Sequence, residues 1–365
     1  MCFFVRKVSS GTRLAQGDRT RPFPLVSPAF MINSRKRILV TGATGLLGNN
    51  VARQALELGI DLITLSRSPK NHPSLRGLDS HHIQADVTDE SLEKLLQGAR
   101  VDAVIHSAAK IHIGWKQLNA SMAVNEIGTK RIVDWAEKNR TRIVHVSTVN
   151  CLPLATPENP LSEFGTGGLQ TPSSYVVSKQ ASQRVCNSAL ERGVDCFSVY
   201  PGFMLGPHDW QLSSGKMIVA LKKFRPWAPA GGCSVCDPRD VASAILKIAV
   251  DGAPSRHYIL AGENMSYFEL WTQIAKQLGA RPPVIAMRKP ARVIGKLLAD
   301  LLNAPRKTES EFNSAAIDMA QQFHYYDSSL ARRELQYAPR NYQDSLRDAI
   351  EWLREQDVLE PKKSS

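Results

Sequence analysis

The chain has 365 residues, 43% of them hydrophobic, and a formal net charge of +12. That length and apolar content can bury a substantial core, and no run reaches the roughly 18 apolar residues that a bilayer crossing needs, so a membrane span is not expected. The positive excess forms no block interleaved with aromatics, which points to anionic small molecules rather than nucleic acid.

In the first 34 residues Arg6, Lys7, Arg13, Arg19 and Arg21 stand against Asp18 alone, with Pro22, Pro24 and Pro28 and no apolar h-region. This segment reads as a disordered leader or a non-native extension, Met31 being an alternative start, and not as a secretory signal. Cys2, Cys151, Cys186, Cys196, Cys233 and Cys236 lack the dense spacing of a secreted disulfide scaffold, so a cytoplasmic location is expected.

From Arg37 the pattern becomes strand, turn, helix. Arg37 to Thr41 is β-rich, and Leu47, Val51, Ala55 and Leu58 recur at helical spacing until Gly59. Between them lies Gly42-Ala43-Thr44-Gly45-Leu46-Leu47-Gly48. Gly42 permits the tight turn, Gly45 lets backbone N–H groups approach a pyrophosphate, and Gly48 lets the helix pack on the strand. Gly42, Thr44, Gly45, Leu46, Leu47 and Gly48 therefore form a candidate dinucleotide site at a helix N-terminus. The G-x-x-G-x-x-G spacing resembles the short-chain dehydrogenase/reductase superfamily.

A second β-rich run, Asp61 to Ser66, is followed by Arg67. An acidic residue there would accept hydrogen bonds from a ribose 2′-OH and repel a 2′-phosphate, whereas Arg67, with Lys70 nearby, suits the phosphate. NADP(H) is the preferred cofactor, and NAD(H) stays open. Further β-like runs at His82 to Ala85, Asp102 to His106, Arg142 to Ser147 and Val194 to Tyr200 alternate with helix-length segments. That alternation predicts an α/β fold with a Rossmann-type doubly wound parallel sheet. The resemblance implies that Asp86 and Val87 contact the adenine, that Ser107, Ala108 and Ala109 line the cofactor, and that Asn125 supports the active-site geometry.

The fifth run closes on Ser147 and Thr148. By resemblance Thr148 holds the substrate oxygen, with Ser147 the near alternative. Tyr175 and Lys179 stand at i and i+4, so a helix would present both on one face. A tyrosine near pKa 10 is too weak an acid and base for neutral pH, and a neighbouring ammonium is expected to lower that value. Lys179 can also hold the nicotinamide ribose, and the resemblance implies that Pro201 and Gly202 lie against the nicotinamide. Val149 and Asn150 follow Thr148 where sugar-nucleotide dehydratases of this fold place an acid, so elimination chemistry is not expected.

After Pro201 the chain turns loop-rich, returns to the sheet between Asp240 and Ile259, and continues in helices at Tyr267 to Leu278, Ala291 to Leu302, Glu309 to Phe323 and Tyr342 to Glu355. The expected division is an NADP-binding domain of residues 35–202 with about 234–262, a smaller, mainly helical substrate-binding cap of 203–233 with 263–358, and a polar tail at 359–365. Cys233 and Cys236 form a lone C-x-x-C without further metal-ligand spacing, read as strand residues and not a metal site. His112, Trp115, Trp210 and Trp227 either line the pocket or pack the cap.

The resemblance runs from Arg37 to Glu355. Within the extended members it is nearest the dihydroflavonol 4-reductase-like group, through the stretches from Tyr200 to Pro207, Asp237 to Ala242 and Leu335 to Arg340. It implies an NADPH-dependent oxidoreductase passing a hydride between nicotinamide and a carbonyl or secondary alcohol of a small organic substrate. Two alternatives stand beside it: an NAD-dependent sugar-nucleotide epimerase and a non-catalytic cofactor-sensing protein. A homodimer is compatible with the sequence.

Overall fold

Residues 36–162, 167, 168, 170–287, 289–307, 309, 310 and 312–359 are described by a computed structural model. The leader expected at 1–34, Cys2 and the tail beyond Leu359 lie outside the described residues.

The strands are β1 (Arg37–Thr41), β2 (Asp61–Ser66), β3 (His81–Gln84), β4 (Ala103–His106), β5 (Arg142–Val146), β6 (Cys196–Pro201), β7 (Phe203–Met204), β8 (Trp227–Ala228), β9 (Gly232–Cys236), β10 (His257–Leu260), β11 (Glu263–Ser266), β12 (Ile285–Ala286) and β13 (Phe323–His324). The helices are α1 (Leu46–Glu57), α2 (Leu92–Leu95), α3 (Leu118–Met122), α4 (Gly128–Lys138), α5 (Ser174–Glu191), α6 (Gly215–Ala220), α7 (Pro238–Asp251), α8 (Tyr267–Leu278), α9 (Lys289–Asn303), α10 (Ser314–Met319), α11 (Ser329–Leu335) and α12 (Tyr342–Glu355).

Seven strands form one parallel sheet in the order β10-β6-β5-β4-β1-β2-β3. The order reverses between β1 and β4, which makes the carboxyl edge there the crevice where such sheets bind ligands. Val40 aligns with Thr64 of β2 and Ile105 of β4, and from Ile38 to Thr41 and Ala103 to His106 the central strands are buried on both faces. α1 packs on α7. Ile132, Val133 and Trp135 of α4 and Cys186 and Ala189 of α5 join Leu39, Leu65, Val104 and Ile143 in one core cluster. Each such aliphatic side chain contributes about 1.5–3 kcal/mol on burial.

The chain beyond β6 carries the expected helices and, in addition, a small sheet. β9 pairs with β11, β13 and β7, and its Cys233 and Val235 pack against Leu270, Ile274, Leu346 and Trp352. Cys233 and Cys236 are buried strand residues whose thiols burial pushes up. The helix expected from Glu309 to Phe323 is shorter. Asn313 caps α10 by accepting from the Ala316 N–H at 2.9 Å, and the backbone of Phe323 and His324 is taken by β9.

α8 starts where the sequence suggests, because Ser266 and Glu269 form a reciprocal capping box, and it ends at left-handed Gly279. Two of the motif stretches meet in a charged cluster. Fully buried Asp237 caps α7 and pairs with Arg239 at 2.7 Å, Arg239 also holds Asp348 at 2.7 Å, and Arg340 holds Asp240 at 2.6 Å. Although burial opposes it, Arg239 and Arg340 keep the Asp237 carboxyl below the usual carboxylate range.

Candidate active site

The glycine turn occupies the crevice. Gly42 has φ of +72°, and a Cβ on it would lie 2.7 Å from the Ala108 nitrogen, so only glycine fits between β1 and the turn after β4. A Cβ on Gly48 would meet the Gly42 carbonyl, which is why α1 can start so close to the strand. Gly45 is the N-cap of α1, no side chain caps it, and no acid stands in the first turn. Thr44, Leu46 and Leu47 complete that turn. Its N–H groups and helix dipole suit an anion, so the residues present fit a dinucleotide pyrophosphate.

Buried Asn49 donates to Ala43 and Ser74 carbonyls at 2.9 and 2.7 Å, and Asn50 to Pro207 at 3.0 Å. Sequence reading passes over both, because asparagine within a helix carries no signal until its partners are known.

At the far end of the crevice Ser66 is buried and Arg67 exposed, its side chain 76% accessible, with Nε 4.0 Å from Asp86 Oδ2. So exposed a pair contributes little to stability, and the guanidinium stays available to a ligand. The other Asp86 oxygen accepts from the Thr88 N–H and hydroxyl at 2.9 and 2.8 Å. Lys70 is exposed nearby in sequence, and Val87 is buried against Gly128. Ser107, Ala108 and Ala109 follow β4, with the Ala108 N–H donating to the Thr41 hydroxyl at 3.2 Å.

Below this turn runs a buried polar chain. Thr41 meets His106 Nδ1 at 2.8 Å, His106 Nε2 meets Thr129 at 3.0 Å, and Thr129 donates to the Asn125 carbonyl at 2.5 Å. Because Thr129 spends its hydrogen on Asn125, its oxygen accepts from His106 Nε2–H, leaving Nδ1 to accept from Thr41. Burial first, then Lys179, lowers the His106 pKa to about 3, in keeping with this neutral tautomer.

Asn125 lies in a π-helical turn, Ala123–Ile127, inserted between α3 and α4. Its side chain accepts from the Lys110 N–H at 2.7 Å and donates to the Lys110 carbonyl at 2.9 Å and to Ser178 at 2.8 Å. Ser178 in turn donates to the Tyr175 carbonyl at 3.0 Å. The asparagine thus ties the loop after β4 to the helix carrying Tyr175, and the π turn aims it there.

β5 ends into a 3-10 turn, Val149–Cys151, capped by Thr148, whose oxygen accepts from the Asn150 N–H at 3.3 Å. That leaves the Thr148 hydrogen free to be donated. Ser147 is buried beside the Cys151 thiol. Tyr175 lies in the first turn of α5, which Ser173 caps, and its N–H donates to the His112 carbonyl at 3.1 Å. Lys179 is 3% exposed and donates to the Val146 carbonyl at 2.6 Å.

The structure corrects one expectation here. Burial pushes the Tyr175 phenol up to about 12, with the Thr148 hydrogen bond opposing and Cys151 adding to the rise. Lys179 is not among the groups that oppose this rise, and its ammonium donates to the Val146 carbonyl at the end of β5. Burial lowers Lys179 itself.

Glu309 was legible only as the start of a cap helix. Its Oε2 accepts from the Trp115 and Lys116 N–H groups at 2.6 and 2.9 Å and lies 3.1 Å from His112 Nε2. Against the pull of burial, the Lys116 amide, His112 and the Trp115 amide hold the carboxyl below its usual range. His112 thus belongs to the loop over Tyr175. Trp210 packs edge-on against Trp352 at 5.0 Å, a cap contact, and Trp227 is 58% exposed. Pro201 and Gly202 close β6, where Gly202 sits so close to the Ser234 carbonyl that a Cβ would clash.

Tyr175, Lys179, Thr148, Ser147 and Asn125 therefore converge at the carboxyl edge of the sheet, the glycine turn meets Ser107 and Ala108, and Arg67 meets Asp86.

The model of the NAD dependent epimerase/dehydratase family matches residues 38–261. The chain is 28% identical to the Methylococcus capsulatus protein named sterol demethylase protein B, over 88% of this chain and 99% of that one. It is 27% identical to a Synechocystis protein provisionally named dihydroflavonol 4-reductase, over 86% and 94%. The fold superposes on DesIV, a dTDP-glucose 4,6-dehydratase from Streptomyces venezuelae with NAD and TYD bound, at a TM-score of 0.69 and 21% identity, covering 88% of this chain and 98% of that one. With its seven-stranded Rossmann sheet and matching sequence, the chain belongs to the NAD dependent epimerase/dehydratase family, the extended short-chain dehydrogenase/reductases, and is an NAD(P)-dependent enzyme acting on CH–OH or carbonyl groups.

Proposed function

We propose that this enzyme passes a hydride between the nicotinamide of NADP(H) and a carbonyl or secondary alcohol of a small organic substrate, in the cytoplasm. The observation that carries the reading is the meeting of the Tyr175 phenol with Thr148 at the end of β5, over a buried Lys179. A bound nicotinamide dinucleotide supplies the hydride. A phenol pushed up to about 12 keeps its proton at neutral pH and gives it to the alkoxide that forms as a carbonyl is reduced. Thr148, its lone pair engaged by Asn150, has a hydrogen with which to hold the same oxygen.

Residues 35–202 with about 234–262 hold the cofactor in this reading, and the remaining segments shape the substrate site. NADP(H) preference rests on Arg67, exposed at the end of β2 with no acid in its place. A screen of NADPH and NADH oxidation against aldehydes, ketones and dihydroflavonols tests the activity. Arg67→Asp is expected to lower the ratio of kcat/KM with NADPH to that with NADH by roughly 10- to 150-fold, the worth of charge-assisted hydrogen bonds to a phosphate. A wild-type preference for NADH, or a ratio unmoved by the substitution, would overturn the cofactor assignment and favour an epimerase that retains NAD.

A further inference from the structure

Helix α9 is assembled inside out. Val293, Ile294, Leu297, Leu298, Leu301 and Leu302 are between 52% and 71% exposed. At 3.6 residues per turn these six occupy one half of the helix, and Arg292, Lys296, Ala299 and Asn303 the other. The polar half is the one that packs. Arg292 and Lys296 pair with Asp318 of α10 at 2.8 and 2.6 Å, Ala299 is fully buried, and Asn303 donates to the Phe312 carbonyl at 2.7 Å. These contacts fix the rotation of α9 and turn its aliphatic half outward.

The apolar surface continues at both ends. Upstream, β12 pairs with β8, placing Ile285 beside Trp227, and Trp227, Val284, Ile285 and Phe224 are all exposed. Downstream, Lys116 donates to the Asn303, Ala304 and Arg306 carbonyls at 2.7, 3.2 and 2.7 Å. That bond brings in the loop of Ile111 and Trp115, also exposed, whose backbone abuts Tyr175.

The segments bearing this surface are strongly basic. Residues 222–228 and 281–307 hold ten lysines and arginines and one acid, Asp300. Among the described residues, Lys222, Lys223, Arg225, Arg281, Arg306 and Lys307 are exposed and bond to nothing through their side chains. We propose that the α9 face docks on an anionic phospholipid surface, its aliphatic half entering the interface and these cations meeting the headgroups. Charge complementarity selects this occupant. A second copy placed face to face would set the same cations against each other, and the first 34 residues are basic themselves.

The test sediments the full chain with vesicles of phosphatidylcholine alone and of phosphatidylcholine mixed with phosphatidylglycerol. Binding to the mixed vesicles, weakened by salt, is expected. Leu297→Ser with Leu301→Ser should lower partitioning at least about tenfold, the worth of burying such side chains. Lys222→Ser and Lys223→Ser should lower it about fivefold each at low salt. Unchanged melting temperatures establish that the variants fold, and the lysine variants carry the test if the leucine variant does not. No binding to mixed vesicles, equal binding to neutral ones, or binding that survives the substitutions would overturn the proposal. So would a dimer that the leucine variant dissolves, since a second copy would then cover the face.

Discussion

Helices α5 and α9 are both long, and each breaks the usual rule of burial in the opposite sense. α5 buries Ser178, Lys179, Ser182 and Gln183, while α9 exposes six large aliphatic side chains. In α5 each of those four donates to a partner, the Tyr175 carbonyl, the Val146 carbonyl, the Lys179 carbonyl and Ser198, while the Gln183 Oε1 and the buried Ser174 hydroxyl have none among the described residues. Buried polar groups must be satisfied, so such a network survives only where the geometry it fixes is specific. The aliphatic face of α9 meets no such demand within the described residues. The difference teaches that a helix with polar groups inside positions chemistry, whereas one with apolar groups outside addresses something beyond the fold.

The sharpest way to break the comparison is Tyr175→Phe, which deletes one hydroxyl from the buried end of α5. Turnover is expected to fall by about 10² to 10⁴ with the melting temperature nearly unchanged. Near-normal kcat on whichever substrate the wild type accepts would take α5 out of the mechanism.

Ser178→Ala is the next largest effect. It leaves the Asn125 amide short of one acceptor and should cost about 1–3 kcal/mol in urea unfolding. A loss below that range would mean that the Asn125 link between the Lys110 loop and α5 is replaceable by water.

The histidines beneath α5 give a pH signature. His106 titrates at about 3 in the folded chain and near 6.5 when unfolded, so its contribution is complete above 6.5 and drains away as pH falls toward 3. His145, stacked on it and joined to Ser182, is shifted the same way by burial. Unfolding free energies from urea titrations at pH 7 and pH 5 should differ by about 2 kcal/mol for His106 alone. In His106→Asn the gap should shrink, and an unchanged gap would assign the acid sensitivity elsewhere, for example to His145; Asp237, whose depressed carboxyl loses its stabilisation only below its unfolded value near 4, does not act in this window.

The smallest effect sharpens the contrast from the other side. Leu297→Ser with Leu301→Ser should move stability by no more than about 0.5 kcal/mol each, as exposed positions do. A loss of several kcal/mol would show that the α9 face is covered after all.

Much of the nucleotide half was legible in advance because its signals are local. Alternating β-rich and helical stretches place β1, β2 and α1 within a residue or two of where they lie, and Gly42 and Gly48 read as turn and packing glycines from spacing alone. The cap was less legible. The run from Glu309 to Phe323 carries helical residues throughout, yet Asn313 starts the helix late and β9 claims its end. The charge reading also changed in three dimensions, since basic segments far apart in sequence are brought together by the pairing of β8 with β12.

By itself the sequence determined the alternation of strands and helices, the glycine turn and the i, i+4 placement of Tyr175 and Lys179, because periodicity and backbone freedom act over a few residues. Tertiary structure alone decided that Lys179 serves the Val146 carbonyl and not the phenol, and that Glu309 reaches back 197 residues to His112. It also decided that α9 shows its aliphatic half to the outside. Those outcomes depend on which distant group arrives first at a donor or a face, and desolvation and hydrogen bonding settle that only once the chain has closed on itself.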